Sequence, residues 1–283
     1  MVTLGLLLGA TTSQPYPFTV PPVDQVVDLH GNPAGAQLVI FMAGNQFMVA
    51  RPLLRAFHAR YPHVARIFYE TLPPGVLARQ IAAGGIRIGN LVVTAQPDVY
   101  MAGHRRMAAM HDSGYVETPF AYASNVLAIM IRKGNPRNVR SLRDLGRSDV
   151  RVAMPNPQWE GVAEQIESAY RKAGGETLVH DIMVTKVAAG TTILTMIHHR
   201  QTPLFLLEGK ADAGPVWISE ALYQQRIGAP ISMVPIPAAQ NQTASYEAAM
   251  VTRASNPQAA REFLSFLKSS QARAIYRSYG FGI

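Results

Sequence analysis

The chain has 283 residues, no cysteine, and 26 Lys and Arg against 18 Asp and Glu, a formal charge of +8. Zero cysteine excludes disulfide scaffolds, thiolate metal sites, iron–sulfur clusters and a cysteine nucleophile. Hydrophobic residues at 48% and charged residues at 16% supply core for one large domain or two lobes and exclude a disordered chain. No apolar run approaches the ~20 residues of a membrane span. The basic surplus admits a nucleic acid, an anionic membrane surface or a small anionic ligand.

In chain order, Leu4–Ala10 is a short apolar stretch followed by Thr11, Thr12 and Ser13, as at the end of a secretory signal. No Lys or Arg precedes Arg51. Either the true start lies upstream or this is an ordinary apolar tail. Pro15, Pro17, Pro21 and Pro22 make the next stretch an extended linker. Gln37–Met42 (QLVIFM) reads as a buried parallel strand, Ala43-Gly44-Asn45 as a turn, and Pro52 as the first turn of a helix carrying Leu53, Leu54, Phe57 and Tyr61. A second unit follows: strand Ile67–Leu72, turn Pro73-Pro74-Gly75, and a helix ending at Gly84-Gly85. Leu91–Thr94, Val99–Met101, Asn125–Arg132 and Val150–Met154 read as strands. Ser141 with Asp144 resembles a capping box. Val162, Ile166, Ala169 and Ala173 mark a helix stopped by Gly174-Gly175. Thr191–His199 reads as a helix. Ala211–Ile218 reads as a strand whose internal Gly and Pro suit an edge or a bend. Strands Ile231–Ile236 and Tyr246–Thr252 precede two helices, the first opened by Asn256-Pro257 and the second closed by Gly280. Alternating strands and helices predict an α/β protein.

Phosphate-binding loops, dinucleotide fingerprints, nucleophile elbows and H-E-x-x-H motifs are absent from the sequence. His198-His199, read on a helix, would point ~100° apart and not share a metal; a surface or partly buried pair is expected. Arg132, Lys133, Arg137, Arg140, Arg143, Arg147 and Arg151 form the densest basic run. It lacks aromatic residues, so a solvated face or a partner-docking surface fits better than a nucleic-acid reader.

Several segments together resemble the molybdate-binding branch of type II periplasmic solute-binding proteins: Val39–Asn45, Arg55–Pro62, Gly75–Ile81, Ala123–Asn125 with Lys133–Pro136 and Ser141–Leu145, Gly209–Trp217, and Asn256-Pro257 through Tyr279–Phe281. The resemblance covers roughly residues 37–281 and is more specific for the fold than for the ligand. It implies a type II periplasmic-binding-protein-like fold: two Rossmann-like α/β lobes joined by two crossover strands, with a ligand cleft between them. Residues 1–36 would be signal remnant and extended segment, 37–123 the first part of lobe 1, 124–236 lobe 2, and 237–283 the return to lobe 1. Strand-to-helix turns present unpaired N–H groups and the positive end of the helix dipole, and hydroxyl and amide side chains add donors.

The ligand-facing positions implied are Asn45 and Gln46 in the first turn, Thr71 near the second, Trp159 in the third, Thr191, Thr192 and Arg200 in a polar segment, and Trp217 at the end of a strand. Plainer readings stand beside these: Asn45 as a left-handed turn residue, Trp217 as an edge-of-core aromatic, Thr191 and Thr192 as helix caps, Arg200 as a surface helix end. Proline at 73 and 74 removes donors from the second turn. Trp159 and Glu160 are bulkier and more acidic than an oxyanion pocket calls for. The implied protein is exported and periplasmic, a monomer without cofactor, metal or catalysis. It passes a small anion to an ABC transporter permease and binds no nucleic acid. The anion is a tetrahedral oxyanion such as molybdate, tungstate or sulfate, or alternatively a small organic acid. Rival readings are a sensing module, an enzyme using Glu160 with His198 or His199, and a regulator's effector domain.

Overall fold

The computed structural model describes residues 28–88, 91–158 and 160–283. The signal-like stretch and Trp159 lie outside the described residues. The strands are β1 Leu29–His30, β2 Leu38–Met42, β3 Ile67–Glu70, β4 Ile86–Ile88, β5 Leu91–Val93, β6 Val99–Gly103, β7 Phe120–Arg132, β8 Val152–Met154, β9 Thr192–Leu194, β10 Ala213–Trp217, β11 Ile231–Pro235 and β12 Thr243–Met250. The helices are α1 Phe47–Arg60, α2 Pro74–Ala83, α3 His104–Asp112, α4 Val162–His180, α5 Lys186–Ala188, α6 Gln201–Leu207, α7 Ile218–Arg226, α8 Pro257–Leu267 and α9 Ser270–Ser278.

Ten strands form one sheet, nine of them in the order β1-β3-β2-β6-β12-β7-β10-β8-β9 and the tenth, β11, also on β7, while β4 and β5 pair separately. The path turns on β7. Its first part, from Phe120 to Val126, pairs antiparallel with β12, and Leu127 to Ile131 pair with β10. On the other side, β11 lies against Ala128–Arg132. Each half of the sheet is covered on both faces. In the first half, α1, α8 and α9 bury Phe57, Phe263, Phe266 and Tyr276 on one side, and α2 and α3 bury Leu77, Ile81 and Met107 on the other. In the second half, α4 packs Ile166 and Tyr170 against one face, and α6 and α7 place Leu206 and Ala221 against the other. The near-continuous apolar strands, such as Leu38–Met42, follow from this two-sided burial.

The end of the chain returns to the first half. Asp98, buried before β6, accepts the Val39 N–H at 2.8 Å and the Asn256 N–H at 2.7 Å, which anchors the start of α8. Gly282 exchanges two backbone hydrogen bonds with Ser124 of β7, at 2.8 and 2.9 Å.

Several elements differ from the sequence expectation. Residues 191–199 are not a helix: Thr192–Leu194 pair in parallel with Val152–Met154, because the β-branched Thr-Thr-Ile run fits a strand that continues the sheet. β10 is not an edge strand but lies between β7 and β8. Its Pro215 sits beyond Ala213, the single residue registered with β8. Gly214 is required there, since a Cβ would lie 2.5 Å from Thr202 and 2.7 Å from the Ala153 carbonyl. α1 begins five residues before Pro52, because a 3-10 turn at Gly44–Gln46 feeds it directly. The Gly174-Gly175 stop is a kink: Gly175 has φ +71° and the helical run resumes after it. Helices α3, α6 and α7 carry weak apolar patterns and were not expected. In the basic run, Arg132, Arg137 and Arg151 converge on the buried carboxylate of Asp212, so part of it is an ion-pair network rather than a solvated face.

Glu70, at the end of β3, is fully buried and accepts the Gln80 side-chain amide at 3.0 Å. Burial pushes its carboxyl up to about 7. A raised carboxyl pKa means that the folded state holds the proton more tightly than the unfolded chain. The stabilisation is present below the unfolded value and is lost as pH rises through about 7, up to about 3 kcal/mol in all. Glu70→Gln should remove that part of the slope: denaturant midpoints of the variant should fall less than those of the parent between about pH 5 and about pH 8. Equal slopes would show that Glu70 is not held protonated.

Candidate functional site

β2 and β3 are parallel neighbours, and β2 is parallel to β6. Their turns therefore leave the same edge of the sheet, the carboxyl edge at which open α/β sheets bind ligands. The first turn, Ala43–Gln46, enters α1, and the second, Thr71–Pro73, enters α2 with Pro74 at its first position. Proline is well placed there because that N–H would be unpaired in any case. The first turn needs glycine for closeness, not for its backbone angles. A Cβ on Gly44 would lie 2.6 Å from the His198 ring and 3.1 Å from the Thr71 carbonyl.

His198 belongs to the segment that faces these turns from the second half. β8 and β9 end side by side. Beyond them the Thr195 N–H donates to the Met154 carbonyl at 3.0 Å, and the Asn156 N–H to the Thr195 hydroxyl at 3.3 Å. The chain then runs through His198, His199 and Arg200 into α6. Arg200 is fully buried, donates to the Asp28 carboxylate and lies over the Phe47 ring, 5.5 Å from its centroid. Thr71 donates its hydroxyl to the same Asp28 oxygen at 3.2 Å. His199 has a left-handed backbone, φ +56°, an uncommon conformation for a side chain of this size. That turn puts its imidazole on Glu220, while its N–H reaches Glu160 at 3.3 Å. Glu160 also accepts the Thr195 hydroxyl, and Glu220 accepts the Trp217 N–H at 3.0 Å at the start of α7. Ser219 accepts from Asn125 at 2.8 Å.

The result is a polar layer between the two halves, with carboxyl groups at Asp28, Glu160 and Glu220, the Arg200 guanidinium and the imidazoles of His198 and His199. Burial raises the Glu160 carboxyl above its ordinary range, against the pull of His199 and Thr195. Burial also works against a charged His199, but Glu220 and Glu160 outweigh it and raise its pKa. His198 is held well below the usual imidazole value by burial, with His199 and Arg200 adding to the effect; it is neutral at pH 7. Among the described residues, no group of three or more His, Asp or Glu side chains could hold a metal ion.

The expected ligand-facing residues are placed as follows. Thr71 and Arg200 meet through Asp28, and Arg200 is not a surface helix end. The Asn45 amide donates to the Tyr246 hydroxyl; its φ is not positive, so it is not a left-handed turn residue. The Gln46 carbonyl is taken by the hydroxyls of Tyr122 and Tyr276, both at 2.8 Å, which turns it into the core under α9 rather than into the cleft. Thr191 donates to the Lys186 carbonyl at 3.4 Å and Thr192 lies buried in β9; neither caps a helix. Trp217 is buried at the end of β10, its ring 6.4 Å from that of Tyr246. Asp28, Thr195, Ser219, Glu220 and Asn125 were not anticipated. They come from separate segments with no common spacing, and Asp28 falls in a stretch that reads as linker. His198 is buried, His199 has a side chain only 9% exposed, and both lie off any helix. The nearest sequence signal was the unusual polarity of Gly190–Pro203.

The profile of the family described as bacterial extracellular solute-binding protein matches residues 38–282. The molybdate-binding protein ModA of Mycobacterium bovis is 28% identical over 211 residues, covering 74% of each chain. Among solved structures, the sulfate-binding protein SubI of Mycobacterium tuberculosis superposes with a TM-score of 0.70 at 21% identity, covering 86% of this chain and 85% of that one. The Azotobacter vinelandii periplasmic molybdate-binding protein superposes with a TM-score of 0.70 at 19% identity, covering 87% and 99%. These likenesses give the fold of type II periplasmic binding proteins, and the chain belongs to the family of bacterial extracellular solute-binding proteins.

Proposed function

We propose that the protein is the extracytoplasmic receptor of an ABC importer, taking a small anion into the layer between the sheet halves and presenting it to the permease. Residues 37–123 with 237–283 act as one lobe and 124–236 as the other, opening and closing about the strands that join them. The observation that carries the reading is the convergence of the Gly44 and Thr71 turns, at the carboxyl edge of β2 and β3, with Arg200 from the facing half. Backbone N–H groups at helix starts, a hydroxyl and a guanidinium are the donors a small oxyanion needs. The relatives whose names specify molybdate or sulfate support a tetrahedral oxyanion. The buried Arg200 favours the second reading, a small organic acid, because a guanidinium fork matches a carboxylate. Neither reading assigns a chemical step to the site. Among the described residues, no helix is long and apolar enough to cross a membrane.

Calorimetry with molybdate, tungstate, sulfate and small carboxylates should give one class bound at about micromolar affinity or tighter, near −8 kcal/mol. Binding of none of them would overturn the anion reading. Thr71→Ala should weaken that ligand by about 10-fold, the worth of one hydrogen bond in a site of this kind. Gln46→Leu makes the opposite separation. It should lower unfolding stability by about 1–3 kcal/mol by leaving two buried tyrosine hydroxyls without their acceptor, while anion affinity stays unchanged. A large loss of affinity in Gln46→Leu would return Gln46 to the cleft.

A further inference from the structure

Asp28 is the group in this layer that an anion receptor does not need. It lies just before β1, its backbone carbonyl accepting the Thr71 N–H at 2.8 Å. Its carboxylate is buried and sits on the donors assigned above to the ligand: the Arg200 guanidinium and the Thr71 hydroxyl on Oδ1, with His198 Nε2 3.9 Å from Oδ2. Arg200 is 172 residues away in sequence and comes from the other half of the sheet. The contact therefore also ties the two halves together across the cleft. A guanidinium only donates, and an ionised carboxylate only accepts. The Arg200 and Thr71 subsite thus already holds an anion, and that anion is part of the chain.

We infer that Asp28 is an internal pseudo-ligand, its carboxylate occupying the Arg200–Thr71 anion subsite so that an external anion binds there only when Asp28 withdraws. The inference rests on the anion-receptor reading and deepens it by naming the residue that limits which anions enter. An ionised carboxylate within a few ångströms of a second anion in a buried site is strongly repelled. A fully ionised oxyanion has no proton to offer it in compensation. The apparent affinity is then reduced by the fraction of molecules whose subsite is vacated. The means of withdrawal is local. β1 is two residues long, held to β3 by the pairs Leu29↔Glu70 and His30↔Tyr69. It can part from the sheet edge while β2 and β3 remain paired with each other.

The test is calorimetry of the parent chain, Asp28→Asn, Asp28→Ser and the double variant Asp28→Asn with Arg200→Gln. Each is titrated with molybdate, sulfate and inorganic phosphate at one pH and ionic strength, and folding is checked by thermal melting. The amide keeps the shape and an acceptor oxygen for Thr71 while removing the charge; serine serves if the amide variant does not fold. At least one of the three anions should bind the single variant about 10-fold or more tighter than the parent, and the double variant should lose that gain. A folded single variant that binds at least one of the three anions but none of them more tightly than the parent overturns the inference and leaves the anion reading standing. Binding of none of the three by parent and variants alike overturns the oxyanion reading and the pseudo-ligand with it. Binding by the variant alone supports both.

Discussion

Thirteen consecutive residues of β7 carry both halves of the ten-stranded sheet, and the way they divide their hydrogen bonds joins those halves. Up to Val126 the strand belongs with β12; from Leu127 it belongs with β10, and from Ala128 also with β11. A strand has two hydrogen-bonding edges, so changing partners along its length joins two sheets without an unpaired edge in the interior. Four covered faces follow from the change, and with them four separate apolar clusters instead of one. The buried polar layer lies where the strands of both halves end, and it is polar because the turns and helix starts gather there.

Within that layer, pairing governs the layout. Three carboxylates, a guanidinium and two imidazoles lie largely out of water, a placement that is costly for each charge alone. The arrangement compensates in two groups: Asp28 with Arg200 and Thr71, and His199 between Glu160 and Glu220. The left-handed backbone of His199 is the local cost of serving two acids from neighbouring positions. Glycine at 44 leaves the room that brings the His198 ring against the first turn. A purely neutral oxyanion pocket would need none of these pairs. Their presence separates this cleft from the one that the family resemblance by itself implies.

Much of the fold was legible along the chain. The QLVIFM run, the Pro73-Pro74 turn and the Ser141–Asp144 cap each act within one turn or one strand, where sequence neighbours are also spatial neighbours. The reading failed where the deciding partner was distant. Thr191–His199 has a helix-compatible pattern, but the free edge of β8 made its first part a strand. The glycine and proline of β10 suggested an edge, yet the close approach of Thr202 and the short register with β8 accommodate both in the interior. Three arginines of the basic run gather on Asp212, some sixty or more residues away along the chain. For the candidate site the balance tips further. Thr71 and Arg200 were named, but the residue that connects them was not, because nothing about an aspartate after a proline-rich stretch marks it as buried.

Length, the absence of cysteine and the strand–helix alternation by themselves determined an α/β protein without disulfides, and the basic surplus left three kinds of anionic partner open. Those properties depend on composition and on short-range periodicity, which one chain displays without a partner. Tertiary structure decided that Gln46 faces the core, that His198 and His199 are interior, and that Asp28 takes the hydrogen bonds of Arg200 and Thr71. Each of these is an encounter between segments tens to hundreds of residues apart. Only the closing of the two sheet halves brings such segments within hydrogen-bond reach, and burial then makes every unpaired charge too costly to leave unmatched.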